Sequence, residues 1–493
     1  MQTIAFYLPQ FHSIPENDRW WGKGYTEWVA VKSAQPLFQG HYQPRIPWNR
    51  NYYDLLDKQT FMEQARLMRD YSVDGLCIYH YYFADGRRIL EKPAENLLQW
   101  GDIPIRFCFS WANETWARSW TKLNEKNVWN INKEKAGNRD DKDGILLKQE
   151  YGSEKDWKDH FNYLLPFFKD SRYIKKENKP VFVIHRADSI PCLPQMLNIW
   201  NVMAKENGFD GIYIIGSNAR IRGLDAYVRQ EPIYSAMNQF RLDYQWLSDQ
   251  IVSHALAADA KTYLCGCPSY DDTPRRGREG MVCEGASADV FYKQMKSLYS
   301  IAEMRGHDFL FVNAWNEWGE GMYLEPDERF GAASLDALKR AKCDCQGAMN
   351  NDMEMELYKN ALLQKKDHSE KTLELTTLYK MAALDHIEER LNRVFSPDKE
   401  LTIALYGFGE MGKLLADLFR RAGISIQYGL DRRAEKVHMD FPVYKITDRL
   451  PEADYLIVAL PAYYKEVFDD LRDRSMQIIS VDYLIDMMRN VEM

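Results

Sequence analysis

No stretch of this chain approaches the ~18 uninterrupted apolar residues that a membrane-spanning helix needs, so no span is expected. There is no basic excess either. Lys and Arg number 64 against 72 Asp and Glu, a net charge of −8, which argues against a broad nucleic-acid surface. The first residues, MQTIAFYLPQFHSIPEND, lack the basic and apolar regions of a secretory leader and read as a strand, so the expected location is the cytoplasm. Cysteine is sparse, with 8 in 493 residues. Five of them (Cys77, Cys108, Cys265, Cys267, Cys283) lie in or near apolar or aromatic stretches, where a buried thiol is the usual outcome. The pairs Cys265/Cys267 and Cys343/Cys345 have no further ligands at zinc-site spacings, so no metal is expected. Internal repeats and low-complexity tracts are absent.

Aromatic residues are abundant, 13% of the chain with 14 Trp and 30 Tyr. They fill cores, and their flat rings also stack on the apolar faces of sugars. Their placement decides between these uses. A chain of 493 residues implies two or three domains. Strand-like runs recur at 3–11, 74–83, 105–111, 180–186, 211–217, 234–240, 261–270 and 308–315. Helical segments such as 57–72 and 288–306 lie between them. Near-continuous apolar runs suit parallel strands buried on both faces. Eight β–α units predict an α/β chain built on a (β/α)8 TIM-type barrel over 1–344.

In such a barrel the site lies where strands end. After the first strand come His12, Trp21 and the run GYTEW with Glu27 and Trp28. The second ends in His80 and Tyr81. Beyond the third lie Trp111, Asn113, Glu114, Trp116 and Arg118, and after the fourth His185. The fifth leads to Asn218, the sixth to Asn238 and Gln239, and the seventh to Asp271 and Asp272. The eighth leads to Asn316, Glu317, Trp318 and Glu320. Singly, each has a bland reading: a strand-end His is usually structural, and Glu at i and i+3 is usually a wet helical face. Their repetition at one end of the strand set points to a glycan site, with an oligosaccharide or polysaccharide as partner.

Glycoside chemistry needs two carboxyl groups, one to protonate the departing oxygen and one to attack or to activate the attacking group. Apolar rings raise the pKa of a neighbouring carboxyl by desolvation, and Trp315 and Trp318 are candidates for that role beside Glu317 or Glu320. The pair Asn-Glu occurs twice, at 113–114 and 316–317. In a rival scheme, Glu114 is the acid and Glu317 the nucleophile.

FYLPQFH, WWGKGYTEW, FSWANETWARSW, DDTPRRG and NAWNEWGEGMYLEP together resemble the WbsX family, whose members are labelled glycosyltransferases or lipopolysaccharide biosynthesis proteins. That family is similar to glycoside hydrolase family 99, the endo-acting α-mannosidases and mannanases on (β/α)8 barrels. The resemblance covers about the first 340 residues. It implies catalysis by Glu317 and Glu320 with retention and no cofactor. Glu317 would deprotonate the sugar's own 2-hydroxyl to give a 1,2-anhydro intermediate, and Glu320 would act as acid, then base. It implies that the N-terminal motif and WANETW bind substrate. The transferase label keeps a nucleotide-sugar-dependent enzyme as the alternative, although Asp271-Asp272 is a poor DxD-type metal motif. A non-catalytic glycan-binding barrel is the further alternative.

A polar segment of helical spacing, 345–398, reads as a connector. From 399 to 493 the pattern is a small Rossmann-like α/β domain of nucleotide-binding type. GFGEMG carries Gly407, Gly409 and Gly412 in G-x-G-x-x-G spacing between a strand and a helix, and Asp431 ends the next strand. A nucleotide or nucleotide-sugar is one expectation for this turn; a docking or oligomerising role is the other. An NAD-dependent oxidoreductase is excluded by the domain's small size and the lack of a partnered catalytic domain.

Overall fold

The computed structural model describes residues 1–117, 145–217, 221, 223–232, 235, 241–345, 377, 381–382, 384–395, 401–460, 463–471, 474, 476–489 and 491. The chain divides into two compact units, Met1–Ser235 with Asp243–Glu356, and Ala236–Leu242 with Leu357–Met493.

The first unit is the barrel. Its strands are β1 (Gln2–Tyr7), β2 (Gly75–Tyr82), β3 (Phe107–Trp111), β4 (Lys179–Ile184), β5 (Tyr213–Ser217), β6 (Ala226–Val228), β7 (Thr262–Tyr263), β8 (Cys265–Gly266) and β9 (Phe309–Val312). All are parallel in the order β7-β6-β5-β4-β3-β2-β1-β9-β8. β7 and β8 are two halves of one extended segment split at Leu264. Tyr227 pairs with Thr262 on one side of the split and Cys265 with Phe311 on the other, and the Leu264 carbonyl accepts from the Phe311 N–H. That segment closes the sheet on itself and makes a (β/α)8 barrel. The apolar runs are buried on both faces, as β3 shows along its whole length.

The covering helices begin where the sequence supplies caps. Asp57 accepts from the Gln59 N–H before Lys58–Asp70, Ser153 and Asp156 form a capping box before Glu154–Lys169, and Ser287 accepts from Val290 before Ala288–Met304. The expected sixth strand, 234–240, is a correction. Ala226–Val228 fills the sixth place, and residues 234 and 236–240 lie outside the described residues. Three residues in the context LDAYVRQ make too short an apolar run to register as a strand.

The second unit holds a five-stranded parallel sheet of β12 (Ile403–Tyr406), β13 (Ile426–Leu430), β14 (Val443–Tyr444), β15 (Tyr455–Val458) and β16 (Gln477–Ser480). The order is β14-β13-β12-β15-β16, which places the first strand in the middle as doubly wound sheets do. Most of the 345–398 segment lies outside the described residues; within it the helix Ile387–Val394 is described.

Candidate active site

The exit of β9 is fastened to the exit of β1. The Trp315 N–H donates to the Phe6 carbonyl at 2.7 Å, and Asn316 makes a two-way clamp with Leu8, accepting from its N–H at 2.8 Å and donating to its carbonyl at 3.0 Å. A tight hairpin follows, β10 (Asn316–Glu317) against β11 (Met322–Tyr323), with the 3-10 turn Trp318–Glu320 between them. Glu317 and Glu320 therefore sit on one short, doubly anchored turn. The Glu320 carbonyl is itself held by the Asp271 N–H at 2.6 Å.

From the exit of β8, the short helix Thr273–Arg276 brings Arg275 to this turn. Its guanidinium binds three carboxylates at once. Nε donates to Glu27 at 2.7 Å, Nη2 to Glu317 at 2.9 Å and Nη1 to Glu320 at 2.5 Å. Glu27 comes from the first turn of Glu27–Ser33 and is almost fully buried. Gly319 makes the convergence sterically feasible, because a Cβ there would lie 1.8 Å from Glu27 Oε1 and 2.8 Å from Arg275 Nε. Gly321 adopts φ +57°, the left-handed region that favours glycine.

Three carboxylates facing one guanidinium leave a net charge of −2 if all are ionised, in a place shielded from water. Burial pushes the Glu317 carboxyl up to about 8, and Glu320 and Glu27 add to the rise; Arg275 opposes it. Burial, then Glu317, raises the Tyr79 and Tyr81 hydroxyls as well. Tyr81 also feels Arg275, Glu27 and Glu114, so Glu114 belongs to the same electrostatic neighbourhood. Glu317 therefore keeps its proton near neutral pH, a perturbation of the kind that marks candidate functional sites.

Residues 3–338 match a protein-family model described as Glycosyltransferase WbsX. The chain belongs to the WbsX family. It is 33% identical over 365 residues to an uncharacterized protein WxcX of Xanthomonas campestris pv. campestris strain ATCC 33913, and 34% identical over 364 residues to the WxcX protein of strain B100. Each alignment takes in 69% of this chain and 49% of the relative, so the chain spans about half the length of these curated relatives. Among solved structures it is similar to a GH99 endo-alpha-mannosidase from Bacteroides thetaiotaomicron, at 14% identity and TM-score 0.42, over 70% of this chain and 97% of that one. It is also similar to a glycoside hydrolase-like protein, at 14% identity and TM-score 0.45, over 69% and 93% of the two chains.

The WbsX match contains the whole barrel and the Arg275 centre. Of the WbsX residues singled out from sequence, Glu27, Glu317 and Glu320 meet at that centre, and Tyr81 lies within its electrostatic reach. Glu114 lies near it, with Arg186 at 3.4 Å and His185 at 3.7 Å. Trp116 packs edge-on against Tyr81 with ring centroids 5.3 Å apart, and Trp21 packs with Tyr25 at 6.3 Å. His12 is buried, and burial lowers its pKa and favours the neutral ring.

Other members of the set are consumed by the scaffold. His80 meets His160 at 2.8 Å between ring nitrogens, and burial lowers both pKa values. Trp111 donates to the Tyr82 carbonyl and Trp28 to the Tyr53 carbonyl. Asn113 clamps Arg186 as Asn316 clamps Leu8. Trp315 and Trp318 direct their indole N–H groups to the buried Glu325, at 2.9 and 2.7 Å, so their polar edges serve a fourth carboxylate, outside the Arg275 cluster. Arg118, Asn218, Asn238 and Gln239 lie outside the described residues. Arg275, Tyr79 and Glu325 were not singled out from the sequence. For Arg275 the one signal was its place in DDTPRRG, just past a strand exit.

In the second unit Gly407 adopts φ +88°, and a Cβ on Gly412 would lie 1.8 Å from the Gly407 carbonyl. Gly409 meets only Leu460, at 3.9 Å. Asp431 accepts from the Phe408 N–H at 2.9 Å and from the Arg433 N–H at 2.8 Å, so its carboxylate organises the glycine turn.

Proposed function

We propose that the barrel is a carbohydrate-active enzyme that cleaves or transfers an α-linked, mannose-like glycoside with retention, in cell-surface polysaccharide metabolism. The observation that supports this most is the single guanidinium of Arg275 gathering Glu317, Glu320 and Glu27 at the strand exits. Membership of the WbsX family and the aromatic walls at that rim agree with it.

In this reading Glu317, in its ionised form, takes the proton of the substrate's 2-hydroxyl as O2 attacks C1. Glu320 gives its proton to the departing oxygen as the C1–O bond breaks. Water or an acceptor hydroxyl then attacks C1 and opens the 1,2-anhydro ring. Glu320 takes the proton of the incoming group, and Glu317 returns its own to O2. Two inversions give net retention. Arg275 holds both carboxylates in place and limits the rise of Glu317. Glu27 fixes the guanidinium through Nε.

Incubation with a panel of α-linked aryl glycosides and oligosaccharides, with the product anomer followed by proton NMR, tests the reading. Release of the α-anomer first supports it; the β-anomer, or no reaction with any α-glycoside, counts against it. The rival scheme, with Glu114 as acid, is favoured by the electrostatic reach of Glu114 to Tyr81, and it does not need Glu320. For the second unit we propose a nucleotide or nucleotide-sugar at the glycine turn. A melting-temperature rise with NAD or a nucleotide-sugar would support this by mass action.

A further inference from the structure

A separate cavity of about 400 Å³ lies behind the hairpin that carries the glutamate pair. Asp271, Gly321 and Tyr323 form the partition. Tyr323 stacks on Trp318 at 3.7 Å, and Gly321 packs against Asp271 and Arg45 so closely that a Cβ there would sit 2.9 and 3.0 Å from them. A sugar in this cavity is therefore not the sugar whose bond reacts. The volume falls within the ~300–1,000 Å³ typical of small-molecule sites.

The lining has donors and ring faces to spare, whereas its acids are engaged. Asp327 accepts from the Tyr323 hydroxyl at 2.6 Å and from the N–H groups of Arg329 and Phe330. Asp271 accepts from His41, Gln43 and Thr273. The arginines are held more loosely. Arg45 is 3.5 Å from the Tyr323 hydroxyl and 3.6 Å from Asp271. The Arg329 guanidinium stacks over Tyr42 at 4.6 Å and Phe330 at 5.2 Å, with no ion pair among the described residues. At the rim, Phe330 is 49% exposed. Its loop is bonded to the 46–48 loop through Trp48 to Pro326 and Glu328 to Ile46, and Trp48 is 52% exposed. Of the large hydrophobic side chains left exposed among the described residues, these two are the aromatic ones.

The geometry points to a second carbohydrate site: the cavity takes a sugar residue of the polysaccharide away from the reacting bond, with Phe330 as platform and Arg329 and Arg45 as donors to ring oxygens. It rests on the carbohydrate reading of the barrel, but its test is binding, not turnover. The full chain is run by affinity electrophoresis through gels containing a neutral α-mannan or an acidic bacterial polysaccharide. The site predicts that at least one gel retards the wild type and that Glu320→Gln is retarded equally. Phe330→Ala, Trp48→Ala and the cavity-filling Ala286→Trp weaken retardation by roughly three- to tenfold, the scale of one lost aromatic contact. Because these residues are not buried, melting temperatures stay at the wild-type value, and turnover of a small aryl α-mannoside is unchanged. Lost retardation with the glycoside uncut by any variant would keep the cavity and sink the catalytic reading. Wild-type migration by all three variants, or no retardation in either gel, overturns the proposal.

Discussion

Glu317 is the residue on which the proposed chemistry turns, because burial moves its titration to about 8. The unfolded chain releases this proton in the ordinary carboxylate range, while the folded protein keeps it up to about 8. Stability from this group is therefore fully present at low pH and is lost as pH rises through the folded value. Glu317→Gln removes that loss. Its stability advantage over wild type is expected to grow from pH 5 to about pH 8 and then level off, on the order of 4 kcal/mol in all at about 1.4 kcal/mol per pH unit, as read from denaturant midpoints. In the proposed mechanism Glu317 acts as a base only once that proton is gone, so kcat/KM is expected to rise with pH through an apparent pKa near 8, a property of the coupled pair. Arg275→Met removes the influence that lowers Glu317, so this rising limb moves to higher pH while the rate drops. An unmoved limb would show that Arg275 does not face the proton that matters. At Gly319, a methyl group has no room between Glu27 and Arg275. Gly319→Ala is expected to cost about 10²-fold or more in kcat/KM, because reacting groups held even slightly out of place lose that much.

At the scale of elements, the β10–β11 hairpin is held from below by Glu325. That carboxylate accepts from Trp315, Trp318, Tyr53 and Gln64, all at 2.7–2.9 Å. Glu325→Leu leaves four donors without a partner, and a loss of about 3–5 kcal/mol in stability is expected by chemical denaturation. The barrel strands were legible because their apolar runs are long: DGLCIYHYYF and DFLFV announce strands buried on both faces. Ala226–Val228 was not, since three residues carry no period. The glutamate turn was legible because acids, indoles and glycines crowd into NAWNEWGEG. Arg275 was not, because its partners lie 248, 45 and 42 residues away in the chain, and only closure of the barrel brings them together. The aromatic excess was legible as clustering but not as division of labour: Trp28, Trp111, Trp315 and Trp318 hold the scaffold, while Tyr79 and Tyr81 face the acids.

For the whole molecule, the chain carries a WbsX barrel and a second unit with its own parallel sheet and its own core of residues such as Leu405, Leu415, Phe419 and Ile457. Two units with separate cores are expected to give two calorimetric transitions. Gly412→Ala should lower only one of them, because its Cβ would collide with the Gly407 carbonyl inside the second unit. No helix among the described residues is long and apolar enough to cross a membrane. The claim that organises the molecule is that two carboxylates of one strand-exit turn, tied by Arg275, carry out glycoside chemistry. The most direct test is the turnover of an activated α-mannoside by wild type, Glu317→Gln, Glu320→Gln and Glu114→Gln, side by side. Losses of about 10³-fold or more in both Glu317→Gln and Glu320→Gln, with a much smaller loss in Glu114→Gln, are predicted. Near-wild-type turnover by Glu320→Gln would contradict the account.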